Sequence, residues 1–232
     1  MKLPKKEDLL NNSSKTISKL YDNISNLSSL NLDELKPENT LVISVDLNNG
    51  FVKEGAMSSP LVKELIEPTV KAFKRFKEHG LKIIAYTDSH TKDSIEFETY
   101  PEHCLQDSSE SEIVSEILEY VDLTITKEST NGFLAANPLI QKDMNYPDIS
   151  QADLDKIDKV VVTGDCTDIC VYQYAVTLKT YLNQINRKCD VIIILDLVET
   201  YDAPYHNADI NNVVFVNSMI ANGIKVYQNI KG

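Results

Sequence analysis

Along the chain, short runs of β-branched and other apolar residues alternate with segments whose apolar residues recur every three or four positions. Continuous apolar runs are typical of strands buried on both faces, and the longer spacing is typical of helices that bury one face. The pattern predicts strands at 40–46, 81–87, 122–126, 159–164, 190–195 and 224–228. It predicts helices at 58–79, 110–120, 168–184 and 205–222, with short ones at 138–142 and 151–157. Such alternation predicts an α/β fold, a doubly wound and mainly parallel sheet with helices on both faces.

The segment before the first predicted strand has a helical pattern of its own. Its apolar positions are Leu9, Leu10, Ile17, Leu20, Tyr21, Ile24 and Leu27. They predict an amphipathic helix that packs on its own domain, contacts a second copy in a homo-oligomer, or covers a pocket as a lid. We therefore expect an N-terminal helical extension at 1–38 and a single domain at 39–232.

Composition narrows the possible partners and the compartment. With 232 residues, 42% hydrophobic and 25% charged, the chain is long enough for one substantial core. The net charge of −12 argues against nucleic acid and anionic membrane surfaces as partners. Four cysteines, without a signal peptide or a long apolar segment, predict a cytoplasmic protein with free thiols.

The most informative local pattern lies around Cys170. The strand at 159–164 is followed by a turn at 164–167, and an apolar-periodic helix opens at Asp168. Backbone N–H groups and the helix dipole at this end favour a thiolate and can stabilise an oxyanion. Cys170 is therefore a candidate nucleophile, and the alternative is a small buried core cysteine. The spacing between Cys166 and Cys170 is not CxxC, so a redox switch has less support.

A second cluster of polar residues follows the strand at 81–87. Residues i and i+2 of an extended segment point to the same side, so Asp88 and His90 can converge on one ion. Two histidines and two carboxylates suit zinc, iron or manganese, with positions left for water or substrate. The candidate ligands are Asp88, His90, Glu96 and His103, with Glu98 and Glu102 as rival carboxylates. The alternative is a polar loop with incidental histidines, and His206 is expected to be a helix cap or a surface residue.

The motif Thr167-Asp168-Ile169-Cys170-Val171, after a strand and a glycine turn, resembles the nucleophile motif of the isochorismatase-like cysteine hydrolases. Within that superfamily it is most similar to the nicotinamidase/pyrazinamidase branch, over about residues 40 to 228. The resemblance implies that Cys170 acts with an acid and a lysine, each ending a different strand. Asp46, after the apolar run 41–45, and Lys127, at the end of 122–127, stand in those places.

The resemblance also bears on the metal and the pocket. The family pattern Asp-x-His, then Glu or His, then aromatic-Pro-x-His fits the four candidate ligands and implies one divalent transition-metal ion per chain, with zinc first. Phe51 and Tyr100 match positions that flank a pyridine ring, although the family often has Trp where Tyr100 stands. The segment 54–57 replaces a usual Gly-Gly pair. A cis peptide is implied at Asp165–Cys166, which would direct the backbone N–H groups of Cys166 and Cys170 at one oxyanion.

From these residues we expect a metal-assisted cysteine amidohydrolase acting on a small-molecule amide. The resemblance implies nicotinamide as substrate, hydrolysed to nicotinate and ammonia through an acyl-thioester on Cys170. Asp46 would move the proton and Lys127 would hold the carboxylate. The alternatives are another small amide or ureido hydrolase of the superfamily, or a binding protein that kept the fold without catalysis.

Overall fold

The structure is a computed structural model that describes residues 1–139 and 154–232. Its strands are β1 (Leu30–Asn31), β2 (Thr40–Val45), β3 (Lys82–Asp88), β4 (Leu123–Lys127), β5 (Lys159–Asp165), β6 (Asp190–Glu199), β7 (Lys225–Tyr227) and β8 (Ile230–Lys231). Six of them form one parallel sheet in the order β4-β3-β2-β5-β6-β7, and β1 pairs separately with β8. All six predicted strands are present, and β6 extends further than predicted.

The helices are α1 (Lys6–Ile24), α2 (Asn49–Val52), α3 (Pro60–Glu64), α4 (Ile66–Glu78), α5 (Ser115–Leu118), α6 (Cys170–Gln184) and α7 (Ala208–Ala221). Alternate residues of β2 separate two apolar cores. Ile43 belongs to the core that contains residues of α6 and α7, whereas Val42 belongs to the core that contains residues of α4 and α5. Helices therefore cover both faces of the sheet, and the predicted doubly wound fold is confirmed.

The order of the strands places a crevice between β2 and β5. The chain runs from β2 outward through β3 to β4, then returns to the other side of β2 and continues from β5 to β7. Loops leave these two neighbouring strands in opposite directions, which opens a space above their carboxyl ends. The residues that follow β2 and β5 are therefore expected to form the functional site.

Two of the predicted helices differ in the structure because of identifiable contacts. The helix expected at 58–79 is divided into α3 and α4, since Pro68 has no N–H to donate to the carbonyl of Glu64. The helix expected at 110–120 is reduced to α5 and a 3₁₀ turn at Ser109–Ser111. The Asn48 side chain donates to the Ser111 carbonyl at 3.0 Å, and this tertiary contact holds the segment in an extended form.

Two further predictions concern the last helix and the two short helices. The last helix begins at Ala208, because the Asn207 side chain caps it by accepting a hydrogen bond from the Ile210 N–H at 2.9 Å. The short helices expected at 138–142 and 151–157 each include residues of 140–153, which lie outside the described residues.

The predicted N-terminal helix is present and packs against its own domain. In α1, the Leu20 carbonyl accepts a hydrogen bond from Asn217 of α7 at 2.9 Å, and Ile24 is buried in the core. Leu30 and Leu35, which follow α1, are also buried. The division of the chain at residue 38 stays a prediction. In the described part of the chain, no helix is long and apolar enough to cross a membrane.

Candidate active site

The site begins at the junction of β5 and α6. Gly164 has φ +111°, and a Cβ on it would lie 1.9 Å from the Val45 carbonyl oxygen. No side chain could fit between the two backbones here, so the end of β5 packs directly against the end of β2. Cys170 is the first residue of α6, and its side chain is buried. The predicted strand-to-helix turn around the cysteine is therefore present.

Asp46, Lys127 and Cys170 converge in the crevice, although they come from the ends of three different elements. Asp46 directly follows β2, Lys127 is the last residue of β4, and all three side chains are buried. The Lys127 Nζ lies 2.8 Å from Asp46 Oδ2 and also pairs with Asp88 Oδ1. The Cys170 side chain is close enough to Asp46 to lower the pKa of that carboxyl against the effect of burial. The structure thus joins an acid, a cation and a thiol in one connected group.

The charges of this group follow from burial and from the ion pairs. Burial disfavours the ammonium of Lys127, but the carboxylates of Asp46 and Asp88 outweigh it and raise its pKa well above the usual value. Burial, followed by the negative charge of Asp88, raises the pKa of Asp46 to about 7. Near neutral pH, Asp46 can therefore both accept and return a proton, as a general acid–base residue requires.

The resting state of Cys170 differs from the expected thiolate. Burial raises the pKa of Cys170 well above the usual value, and the nearby Lys127 offsets only part of this effect. Loss of solvation in the crevice outweighs the favourable end of α6, so the side chain is a thiol before substrate binds. A base is therefore needed to remove its proton, and Asp46 is the neighbouring carboxyl group whose pKa lies near neutral pH.

Two backbone N–H groups at the turn are free to bind an oxygen atom. The Asp165–Cys166 peptide bond is cis, as the resemblance implied. Within residues 1–139 and 154–232, the N–H groups of Cys166 and Cys170 donate no hydrogen bond, whereas the N–H of Thr167 between them donates to the Glu199 carbonyl at 2.9 Å. Unpaired N–H groups beside a candidate nucleophile are suited to an oxyanion.

Asp88, His90, Glu96 and His103 form the second group of the site. One ligand atom from each residue lies within 4.8 Å of the others. His90 Nε2 is 3.5 Å from Glu96 Oε2 and 3.6 Å from Asp88 Oδ2, and His103 Nε2 is 3.5 Å from Asp88 Oδ2. These distances exceed ordinary hydrogen bonds, whereas ligands held about 2.1 Å from one ion are roughly 3.0–3.5 Å apart.

The outer contacts of these side chains fit a metal site. The His103 Nδ1 donates to the Pro101 carbonyl at 2.7 Å, and the His90 Nδ1 faces the Ser94 hydroxyl at 3.3 Å. In each histidine the contact of Nδ1 orients the ring, so that Nε2 is directed at the other candidate ligands. His90 Nε2 and Glu96 Oε2 are buried and have no hydrogen-bond partner among the described residues. A divalent cation would satisfy both atoms.

Glu96, rather than the exposed Glu98 or Glu102, is the glutamate that faces the histidines. Its other oxygen, Oε1, accepts a hydrogen bond from the Thr130 N–H at 2.9 Å, which fixes the carboxylate. Among the three carboxylates that the sequence offered, this orientation favours Glu96.

Asp88 connects the two groups. Its Oδ1 pairs with Lys127, while its Oδ2 faces His90 and His103. Burial would raise the pKa of Asp88, but the charge of Lys127 and the neighbouring imidazoles of His103 and His90 outweigh burial and hold it below its ordinary range. Asp88 is therefore ionised, as a metal ligand must be.

Aromatic rings surround His103, on the side of the site that the resemblance assigned to substrate. The ring centroids of Phe51 and Tyr100 lie 5.6 and 6.4 Å from that of His103. The Phe97 ring lies 5.3 Å from His90 and 5.7 Å from His103, a contact that the sequence did not predict. Phe51 and Tyr100 are thus close enough to the cluster to contact a ligand bound there.

Three further polar residues of the site were also missed. Asn48 donates to the Asp88 carbonyl at 3.0 Å and holds the end of β3. Asp165 is buried at the end of β5, and burial raises its pKa well above the usual value. His206 was expected to be a cap or a surface residue, but its Nε2 lies 2.7 Å from Asp168 Oδ2. This pair joins positions 38 residues apart, so local sequence gave no signal for it.

Comparison with known proteins identifies the family. Residues 40–222 match the family model of the Isochorismatase domain. The chain belongs to the isochorismatase family. It is thus an isochorismatase-like hydrolase by descent, and the predicted resemblance is confirmed.

Individual relatives of this isochorismatase-family chain include amide hydrolases. Nicotinamidase 1 of Arabidopsis thaliana is 28% identical over 179 residues, which cover 72% of each chain. The solved pyrazinamidase of Pyrococcus horikoshii in complex with zinc shares 23% identity, with a TM-score of 0.64 over 82% of this chain and 99% of that one. N-carbamoylsarcosine amidase from Thermoplasma acidophilum also has a TM-score of 0.64, at 23% identity, over 84% of this chain and 99% of that one.

Proposed function

We propose that the protein is a metal-assisted cysteine amidohydrolase that converts nicotinamide and water to nicotinate and ammonia. The observation that carries this proposal is the position of Asp88, which binds the Lys127 ammonium through one oxygen and faces both histidines through the other. The cysteine group and the candidate metal cluster are therefore parts of one site. The 28% identity to a nicotinamidase supports the same substrate class.

The acylation step uses the neighbouring side chains of Cys170 and Asp46. Asp46 takes the thiol proton while the sulfur forms a bond to the carboxamide carbon. The negative charge that develops on the carbonyl oxygen is stabilised by the N–H groups of Cys166 and Cys170. Asp46 then transfers the proton to the nitrogen, the C–N bond breaks, ammonia leaves and an acyl-thioester remains on Cys170.

The second half of the reaction reverses the proton movement. Asp46, ionised again, accepts a proton from a water molecule whose oxygen attacks the thioester carbon. The C–S bond breaks, nicotinate is released and the sulfur recovers its proton from Asp46. Throughout, Lys127 holds the Asp46 carboxylate at 2.8 Å and keeps it directed at the reacting atoms.

The proposed role of the other group is to bind the substrate ring. The residues that would hold a divalent transition-metal ion, zinc first, are Asp88, His90, Glu96 and His103. Such an ion supplies a ligand position for the ring nitrogen of a pyridine carboxamide. Phe51 and Tyr100 lie beside His103 and would contact the faces of that ring.

We expect nicotinamide and pyrazinamide to be hydrolysed, because each offers a ring nitrogen to the cluster and a carboxamide to Cys170. Isochorismate, which is not an amide, should not be a substrate. Steady-state ammonia release measures the hydrolysis of each amide. Consumption of isochorismate is measured in parallel as the comparison. Faster turnover of N-carbamoylsarcosine than of nicotinamide would instead assign the protein to the ureido hydrolases.

We expect kcat/KM for nicotinamide to increase as the pH rises through the titration of Asp46. Its pKa, raised to about 7 by burial and by Asp88, means that the base is protonated and inactive at lower pH. A cation on Asp88 would offset that residue's charge, so the inflection of the loaded enzyme should lie at or below about 7.

Metal content and circular dichroism at each pH separate this titration from loss of the ion or of the fold. A flat rate profile between pH 5 and 8, with metal and fold retained, would contradict the assignment of Asp46 as the base.

A further inference from the structure

A cavity of about 370 Å³ opens beside the site, and its walls come from three separate segments. Residues 56–60 form one side, Tyr100 and Pro101 form the second, and residues 201–203 form the third. Tyr100 also contacts His103, and a charge on Cys170 would add to the burial that raises the pKa of Tyr100. The cavity therefore adjoins the candidate active site through Tyr100, and Tyr201 lines it on another side.

The third wall is anchored by His206, which has no role in the proposed reaction. Its Nε2 lies 2.7 Å from Asp168 Oδ2, and its Nδ1 lies 2.9 Å from the Tyr201 carbonyl oxygen. Both partners are hydrogen-bond acceptors, and each faces a different nitrogen of the ring. The side chain is thus fixed at both ends, to the turn that carries Cys170 and to the wall of the cavity.

The ring of His206 also supports the ring of Tyr201. The two rings are parallel within 6°, and their centroids are 3.9 Å apart. Reciprocal backbone hydrogen bonds of 2.9 Å between Ala203 and His206 close the short loop that joins them. Tyr201 is therefore held through both its main chain and its side chain by one residue.

The anchor itself is rigid. Asp168 is buried, and its second oxygen accepts a hydrogen bond from the Thr200 hydroxyl at 2.6 Å. Asp168 lies two residues before Cys170, in the turn at the end of β5. The chain of contacts from the turn to the cavity wall therefore runs from Asp168 through His206 to Tyr201, and each step is a direct contact.

We propose that His206 is a positioning residue that holds Tyr201 as one wall of the entrance, and so limits the size of the amide that reaches Cys170. This inference rests on the proposed function for the identity of the substrate. The position of the wall relative to Cys170 does not depend on the identity of the substrate. This position can therefore be tested without a substrate.

The first test is kinetic and uses His206→Ala, which removes both hydrogen bonds and the stacked ring. We expect KM for nicotinamide to rise roughly tenfold while kcat changes by less than about threefold, because the wall orients the substrate and does not contact the reacting atoms. His79→Ala, at the end of α4 next to the start of β3, is the control and should leave both constants unchanged. An equal loss in kcat, with KM constant, would overturn the proposal.

The second test needs no turnover. Cys170 is alkylated with iodoacetamide, which is small, and with N-phenylmaleimide, which is bulky, and tandem mass spectrometry separates it from Cys166. We expect the wild-type protein to favour the small reagent, and His206→Ala or Tyr201→Ala to reduce that preference by roughly tenfold. If the wild type does not hydrolyse nicotinamide, the proposed function fails, but the alkylation ratio still tests the wall.

A conservative variant guards against a general loss of structure. His206→Gln can still donate to Asp168 but lacks the ring that supports Tyr201, so it should give most of the change in the alkylation ratio while its Tm stays near that of the wild type. Faster reaction of both reagents by the same factor would indicate loosening of the whole site. That result, or an effect of Tyr201→Ala that neither His206 variant reproduces, would overturn the proposal.

Discussion

Replacing Cys170 with alanine is expected to lower kcat for nicotinamide by roughly 10⁴-fold or more, because no other group can form the acyl intermediate. The substitution removes one buried sulfur atom, which should cost about 1 kcal/mol of stability and leave the fold intact. The measurements are ammonia release and the thermal unfolding midpoint of the same preparation.

Cys189→Ala provides a matched control for this variant. Cys189 is also buried, and burial raises its pKa to about 11. It lies just before β6, at the amino ends of the strands and therefore away from the candidate site. Its replacement, like that of Cys104, should preserve most of the activity. Iodoacetamide mapping that modifies another cysteine and leaves Cys170 inert would show that the nucleophile has been assigned to the wrong residue.

The double variant His90→Ala/His103→Ala is expected to lose nearly all bound metal, whereas the wild type should carry about one transition-metal ion per chain. Two of the four candidate ligands are then absent, and water cannot replace them at comparable affinity. Elemental analysis of protein purified without chelator measures the content. KM for nicotinamide should rise more than the rate of Cys170 alkylation changes, because the ion orients the substrate whereas Asp46 and Lys127 act on the thiol.

Glu96 and Glu98, two residues apart, provide a matched pair of variants that tests the proposed metal site. Glu96→Gln should weaken metal binding, and Glu98→Gln, two residues away and exposed, should not. Metal occupancy should also fall as the pH drops below about 6.5, since protons compete for the imidazoles. Burial disfavours charge on His103, but the nearby Asp88 carboxylate and the hydrogen bond to the Pro101 carbonyl outweigh burial and raise its pKa, which strengthens that competition. Full occupancy in the double variant would mean that the ion is held elsewhere.

The sheet and most of the site were predictable because their signals are local. Apolar runs such as 160–163 mark a buried strand by themselves, and parallel strands bring their carboxyl ends to one edge. Asp46 and Lys127 could therefore be placed together although they are 81 residues apart in the chain. The structure brings both into contact, at 2.8 Å.

The features that sequence could not supply depend on contacts between distant segments. The extended form of 111–114 requires Asn48, and the orientation of Tyr201 requires the pairing of His206 with Asp168. The position of Cys170 at a helix end favoured a thiolate, but burial in the crevice raises its pKa and keeps the side chain protonated. Burial of this kind is a property of the packed molecule, so a pattern of neighbouring residues does not reveal it.

Gly164 gives the site a narrow tolerance to mutation. Since a Cβ there would lie 1.9 Å from the Val45 carbonyl oxygen, even alanine would have to push β2 and β5 apart. Those strands carry Asp46 on one side and the Cys166 N–H on the other, so the separation between base and oxyanion donor is set by a residue that takes no part in the reaction. A single methyl group at this position would therefore displace the proposed base and the proposed oxyanion donor at once.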